Sequence, residues 1–154
     1  MALAAQALFA VPFLICSFVV AGTANAGFNV VLTAFLNLAL IGGSVHVLKN
    51  SKAPIAIGFL LGSSAAMAVL NFMTAIFWGQ LSGCIIMSRG QSLAGYSCTN
   101  PTAYGAVCAF AVLLFLTQTV FTAALFMWRS DFITEPAGHD ESSSGGYSAP
   151  SANL

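Results

Sequence analysis

Charged side chains are nearly absent from this sequence. Its 154 residues include four Lys and Arg and four Asp and Glu, so 5% of the chain is charged and 58% is hydrophobic. All four acidic residues fall in the last 24, which leaves residues 1–130 without a carboxylate. A soluble domain carries about 25% charged residues because its surface faces water. The composition therefore predicts a chain surrounded mostly by lipid. Zero net charge without a basic run indicates no nucleic-acid partner.

The missing carboxylates also exclude much of the chemistry that a membrane protein could perform. A proton-coupled transporter usually needs an ionisable group inside the membrane. The one candidate, His46, lies within a turn of a predicted helix end, where an interfacial position is the simpler interpretation. No Gly-x-Ser-x-Gly motif and no Cys-x-x-Cys spacing occur, which disfavours a serine hydrolase and a zinc site. We expect no catalytic residue, no metal, no cofactor and no enzymatic activity.

Four apolar stretches are long enough to cross the hydrocarbon core of a bilayer, which needs about 20 residues per helix. They cover approximately residues 3–21, 28–48, 53–78 and 104–128. We therefore predict an all-α membrane protein, a four-transmembrane-helix bundle over residues 1–129, with a polar disordered tail over 130–154. Ala24-Asn25-Ala26 resembles a signal-peptide cleavage site, but no positive charge precedes the first stretch, which favours a retained helix.

The few basic residues predict the orientation of the helices. Lys49 and Lys52 lie between the second and third stretches, and Arg129 follows the fourth. Basic residues concentrate on the cytoplasmic side of membrane proteins, so we expect both termini in the cytoplasm, in the plasma membrane or in an endomembrane vesicle. The long third loop, with Arg89, is then lumenal or extracellular.

Two of the four cysteines lie in that third loop. An oxidising compartment would allow a disulfide between Cys84 and Cys98, and two free thiols remain the alternative. Closing a loop of this length stabilises a protein by about 3 kcal/mol in the chain-entropy model. Cys16 and Cys108 lie within predicted helices and are expected to pack as small apolar side chains.

Small and polar residues within the helices predict how the helices pack. Gly58 and Gly62 are four residues apart, a spacing that lets two helix backbones approach closely. Asn37, Asn71 and Gln118 belong to polar stripes on three different helices. Because polar groups in hydrocarbon are costly unless paired, we expect Asn37 and Gln118 to hydrogen-bond across the bundle or to a neighbouring protein. Structural contact is favoured over a substrate path because no charge accompanies these amides.

The layout of the chain resembles the MARVEL-type tetraspan membrane proteins, which include the synaptogyrins, the synaptophysins and the fungal eisosome-associated tetraspans. The resemblance covers about residues 3–129 and consists of four helices, two short connections and a longer third loop. Within that loop region it rests on Trp78, on the pair Cys84 and Cys98 and on the positions between them. It implies membrane organisation or vesicle trafficking rather than chemistry.

Three functions are compatible with these features. The first is a non-enzymatic membrane-organising or vesicle-trafficking scaffold that acts through lateral helix contacts and forms oligomers. The second is a small accessory subunit of a larger membrane complex, and the third is a channel formed by oligomerisation. The expected partners are membrane lipid, other membrane proteins or further copies of the chain.

Overall fold

The apolar stretches of the sequence form four α-helices. The computed structural model describes residues 2–23, 26–50, 54–83 and 100–128. The helices are α1, Ala2–Val19; α2, Gly27–Asn50; α3, Pro54–Ser82; and α4, Pro101–Met127. Each one is long and apolar enough to cross a membrane. The predicted all-α fold class with four membrane-spanning helices is therefore confirmed, while the predicted tail over 130–154 lies outside the described residues.

The helices pack as a four-sided bundle in chain order. α1 contacts α2 and α4, and α3 contacts the same two helices, with α3 against α4 the most extensive contact. The short connections from α1 to α2 and from α2 to α3 make successive helices antiparallel neighbours. Each helix therefore presents one face to the interior and the remaining faces to the surroundings.

Buried residues recur with a period close to 3.5 along the helices. On α4 they alternate at spacings of three and four: Tyr104, Val107, Ala111, Leu114, Gln118, Phe121 and Leu125. On α1 the same alternation relates Gln6, Ala10, Phe13 and Ser17. This heptad pattern keeps one seam facing its neighbours when helices pack with a left-handed twist, as in coiled coils.

Polar residues at mid-bundle divide the apolar core into two clusters. The larger cluster lies toward the α1–α2 connection and includes Phe13, Trp78 and Tyr104. The smaller cluster lies toward the α2–α3 connection and contains Leu60, Phe121 and Leu125. Every helix contributes to both clusters, so the polar residues between them lie in one layer that crosses the whole bundle.

The two helices that flank the long third loop extend further than the sequence indicates. α3 continues to Ser82 rather than stopping at Trp78, and Ser82 Oγ donates to the Gly79 carbonyl at 2.9 Å. A Cβ at Gly79 would lie 3.2 Å from Cys108 Sγ, so the missing side chain leaves room for α4. α4 begins early, at Pro101, because the Asn100 side chain accepts a hydrogen bond from the Ala103 N–H at 3.3 Å.

Two aromatic residues at this end of the bundle are buried rather than exposed to lipid. Trp78 and Tyr104 are each 2% exposed, and their ring centroids lie 5.2 Å apart. Phe77 packs edge-on against Trp78, with a centroid separation of 5.5 Å. Aromatic ring pairs add stability beyond area burial, and the Trp78–Tyr104 pair joins α3 to α4 beside the third loop.

The exterior of the bundle is apolar on all four helices. Large side chains such as Leu8, Phe28, Ile55, Phe59 and Val120 are exposed by 63% or more. Soluble monomers rarely expose continuous apolar surface beyond a few hundred Å². A surface of this kind is stable when it faces hydrocarbon, which is the architecture of an integral membrane protein.

Candidate functional site

A reciprocal pair of asparagines lies at the centre of the bundle. Asn37 Nδ2 donates to Asn71 Oδ1 at 3.0 Å, and Asn71 Nδ2 donates to Asn37 Oδ1 at 3.0 Å. Both side chains are 0% exposed. Asn37 is ten residues into α2, or about 15 Å from its start at a rise of 1.5 Å per residue. The pair therefore joins α2 to α3 near the middle of α2.

Gln118 of α4 completes the arrangement as a third amide. Asn71 Nδ2 donates its second hydrogen to Gln118 Oε1 at 2.8 Å, and Gln118 Nε2 donates to Asn37 Oδ1 at 3.3 Å. Asn37 Nδ2 uses its second hydrogen on the Thr33 carbonyl at 2.9 Å. Each amide oxygen and each amide nitrogen of the three side chains thus has a partner, and three helices share one network, which we call the amide triad.

Gln6 supplies the fourth buried amide of this layer, from α1. It is 0% exposed, and its Nε2 donates to the Thr117 carbonyl of α4 over 3.4 Å. That separation exceeds the usual 2.7–3.2 Å range for an N–H···O bond. Gln6 Oε1 has no hydrogen-bond partner among the described residues. Gln6 therefore pairs much less completely than the amide triad does.

Hydroxyl groups in the bundle fall into two classes. Ser17, Thr33, Ser44 and Thr74 each donate to the carbonyl four residues earlier in their own helix, at 2.6–2.8 Å. Such bonds satisfy the hydroxyl without joining helices. Ser64 Oγ and Thr122 Oγ1 differ, because they bond each other at 2.8 Å and so connect α3 to α4.

The chemistry of this layer is that of neutral amides and hydroxyls. An amide neither gains nor loses a proton near neutral pH, so the amide triad supplies no general acid, base or charged ligand. Within the described ranges no group of three His, Cys, Asp or Glu side chains could hold a metal ion. His46 is exposed near the end of α2, where its Nδ1 lies 3.2 Å from Asn50 Nδ2. The arrangement is suited to holding helices together.

The structure brings together three of the five residues that the sequence predicts for helix packing, namely Asn37, Asn71 and Gln118. The other two, Gly58 and Gly62, lie on an exposed face of α3. A Cβ built on either glycine would meet no heavy atom of the described residues within 4 Å. No described helix of this chain therefore packs on the two glycines.

The predicted disulfide falls on Cys84 and Cys98, which lie outside the described residues, so the pairing stays a prediction. Cys16 and Cys108 are half-buried free thiols, and Cys108 Sγ lies 3.2 Å from the Ala75 carbonyl oxygen. Lys52, Arg89 and Arg129, on which the predicted orientation rests, also lie outside the described residues.

Gln6 is not among the residues that the sequence predicts for helix packing. The three triad amides occur in stripes with other polar residues at helical spacing, whereas Gln6 is surrounded by apolar residues along α1. A different feature of the sequence could have predicted its burial, because Gln6 is the one amide side chain within α1. A lone amide in a membrane helix is costly unless it faces the bundle interior.

Comparisons with known proteins give no match: no protein-family model, no curated protein and no solved structure matches this chain. The resemblance to MARVEL-type tetraspans therefore stays a prediction.

Proposed function

We propose that this chain is a non-enzymatic tetraspan scaffold that organises its membrane, or takes part in vesicle trafficking, through lateral helix contacts. In this proposal both termini are cytoplasmic, in the plasma membrane or an endomembrane vesicle. The main observation in favour of this proposal is that Gly58 and Gly62 lie on an exposed face of α3. A Cβ at either glycine would meet no heavy atom of the described residues within 4 Å. A glycine pair four residues apart allows close helix approach, and here the approaching helix would belong to another molecule.

The amide triad supports the same proposal from the inside of the bundle. Its side chains satisfy one another, so they hold α2, α3 and α4 together as one unit. The apolar exterior then remains for contacts with lipid and with other membrane helices. A pre-assembled bundle with one small-residue face is suited to repeated lateral association.

The proposal is tested by Gly62→Leu in reconstituted vesicles. A Cβ at position 62 meets no heavy atom of the described residues within 4 Å, so we expect leucine to leave the bundle intact while it prevents close approach of a second helix. We expect energy transfer between donor- and acceptor-labelled copies to fall several-fold in this variant. Gly42→Leu on α2 is the matched control, because Gly42 is also exposed with nothing within 4 Å of its Cβ position. Equal transfer in both variants and the parent would contradict the proposal.

A further inference from the structure

A pocket of about 270 Å³ lies between the first turn of α2 and the second half of α3. Its lining includes Trp78, which is 2% exposed, and two side chains on the outside of the bundle, Asn29 and Met73. Thr74 and Phe77 line it as well. The pocket therefore reaches from the outer surface of the bundle to a buried indole ring.

The polar hydrogens in this pocket are not all paired. The indole N–H of Trp78 is a donor without acceptor capacity, and it has no hydrogen-bond partner among the described residues. The side-chain amide of Asn29 also has none, although the Asn29 backbone carbonyl accepts from Thr33 Oγ1 at 2.8 Å. Thr74 Oγ1 already donates to the Leu70 carbonyl at 2.8 Å. Because a buried donor without a partner is costly, a well-matched occupant supplies an acceptor to the indole.

The polar end of the pocket lies close to the depth where a bilayer changes from hydrocarbon to headgroups. α2 has 24 residues, or about 36 Å at 1.5 Å per residue, which slightly exceeds a hydrocarbon core of about 30 Å. Asn29 is two residues from the start of α2, and Trp78 is about one turn from the end of α3. The lining residue Leu70 lies about 12 Å further along α3, toward the bundle centre. The pocket is therefore polar near the boundary and apolar below it.

The acyl ester of a glycerolipid has the same order of groups. Its carbonyl oxygen is an acceptor at the boundary, and its acyl chain continues into the hydrocarbon. The residues that line the pocket, all of them described, carry no charge. Recognition therefore falls on the ester and its chain, which glycerolipids share, rather than on a charged headgroup.

Water and a partner helix match the pocket less well. A water molecule can accept from the indole, but the side chains of Leu70, Met73 and Phe77 form an apolar space, and apolar cavities stay dry. An α-helix with its side chains is about 10 Å or more across, which is too wide for a space of about 270 Å³. An acyl chain fills the apolar part with dispersion contacts.

We propose that this pocket binds one acyl ester of a membrane glycerolipid. The ester carbonyl accepts a hydrogen bond from the Trp78 indole, the Asn29 amide bonds the ester from the outer side, and the chain runs past Met73 toward Leu70. The site is independent of the lateral contact proposed at Gly58 and Gly62, because neither glycine lines the pocket.

Occupancy by an acyl chain is tested by quenching of Trp78 fluorescence. The full chain carries Trp128→Phe, which leaves Trp78 as its one tryptophan, and is reconstituted in phosphatidylcholine with bromine in the upper half of the acyl chain. Bromine quenches an indole that it contacts, so we expect strong quenching of this buried side chain. Thr74→Leu fills the pocket and should reduce quenching several-fold.

Thr119→Leu is the matched control for Thr74→Leu. Thr119 also donates to a carbonyl of its own helix at 2.8 Å, but it lies on α4 and does not line the pocket. Quenching in Thr119→Leu should equal that in the parent. Equal quenching in the two leucine variants, or no quenching in the parent, would overturn the site.

Recognition of the carbonyl is tested with two phosphatidylcholines that carry the same photoactivatable group in the acyl chain, one ester-linked and one ether-linked. The ether lipid lacks the carbonyl. In the parent, peptides that contain residues 70–78 should be labelled several-fold more by the ester lipid. Trp78→Phe keeps an aromatic ring but removes the N–H, and Asn29→Leu changes an exposed position; each should reduce the preference.

Gly62→Leu separates this site from the scaffold proposal, since it should leave the ester preference unchanged whether or not the copies still associate. Three results would overturn the ester site: equal labelling of the parent by both lipids, label spread evenly over all four helices, or pocket peptides crosslinked to a second copy in place of lipid.

Discussion

Asn37 and Asn71 each donate a hydrogen bond to the other's side-chain oxygen at 3.0 Å, with both amides fully buried. Two side chains 34 positions apart in the sequence thus form a closed pair in the middle of an otherwise apolar bundle. Because each amide satisfies the other, the pair fixes the register of α2 against α3. Gln118 extends that register to α4.

Breaking the pair should destabilise the bundle. Asn71→Leu leaves Asn37 Oδ1 and Gln118 Oε1 with fewer donors, and an unsatisfied buried polar group costs about 1–3 kcal/mol. We expect Asn71→Leu and Asn37→Leu each to lower the free energy of unfolding in mixed detergent micelles by an amount in that range. In the double variant the loss should be smaller than the sum, with a coupling of about 1 kcal/mol. Unchanged stability in Asn37→Leu would refute the structural role of the pair.

Gln6 and Gln118 should respond differently to the same substitution. Methionine has nearly the shape of glutamine but no amide. Gln118→Met removes the 2.8 Å bond from Asn71 and the 3.3 Å bond to Asn37, and it should destabilise the protein by about 1–2 kcal/mol. Gln6→Met removes an oxygen without a partner and one 3.4 Å contact, so it should be neutral or stabilising by up to about 1 kcal/mol.

The comparison of the two methionine variants uses the same unfolding assay for both. A large loss of stability in Gln6→Met would mean that Gln6 makes a stronger contact than the 3.4 Å bond to Thr117. Equal effects of the two variants would contradict the difference in pairing between the fourth amide and the amide triad.

Gly27, at the start of α2, should not tolerate a side chain. A Cβ there would overlap the backbone carbonyl of Ala21 in the α1–α2 connection, so the backbone itself would have to move. Gly27→Ala should therefore lower the melting temperature. Gly42→Ala, at an exposed helical position with open space, should be neutral or slightly stabilising, since alanine is favoured over glycine in helices by up to about 1 kcal/mol. A lower melting temperature for Gly42→Ala than for Gly27→Ala would be inconsistent with the close approach of Gly27 to the Ala21 carbonyl.

The sequence predicts a disulfide in the third loop, and counting thiols tests it. If Cys84 and Cys98 form a disulfide, alkylation of the unreduced, unfolded protein should modify two thiols, at Cys16 and Cys108, and alkylation after reduction should modify four. Peptide mass mapping distinguishes the two pairs of sites. Four modified thiols before reduction would exclude the bond.

The sequence predicted the number and type of helices because long apolar stretches without charge have few alternatives in a membrane. It also pointed to Asn37, Asn71 and Gln118, since polar residues at helical spacing share a face. It did not predict that α3 continues to Ser82. Gly79 and Gln80 are typical of the start of a loop, whereas in the structure α3 continues through both and packs Gly79 against Cys108 of α4. Whether Gly58 and Gly62 face their own bundle or the outside depends on helix rotation, which the spacing of small residues leaves open.

The scaffold proposal is tested most directly by mass spectrometry of the assembly extracted from its native membrane in mild detergent. The proposal predicts the chain in complexes with copies of itself, and a shift toward single copies in Gly62→Leu but not in Gly42→Leu. Recovery at a fixed ratio with large unrelated subunits, unaffected by Gly62→Leu, would contradict the proposal and identify the chain as an accessory subunit.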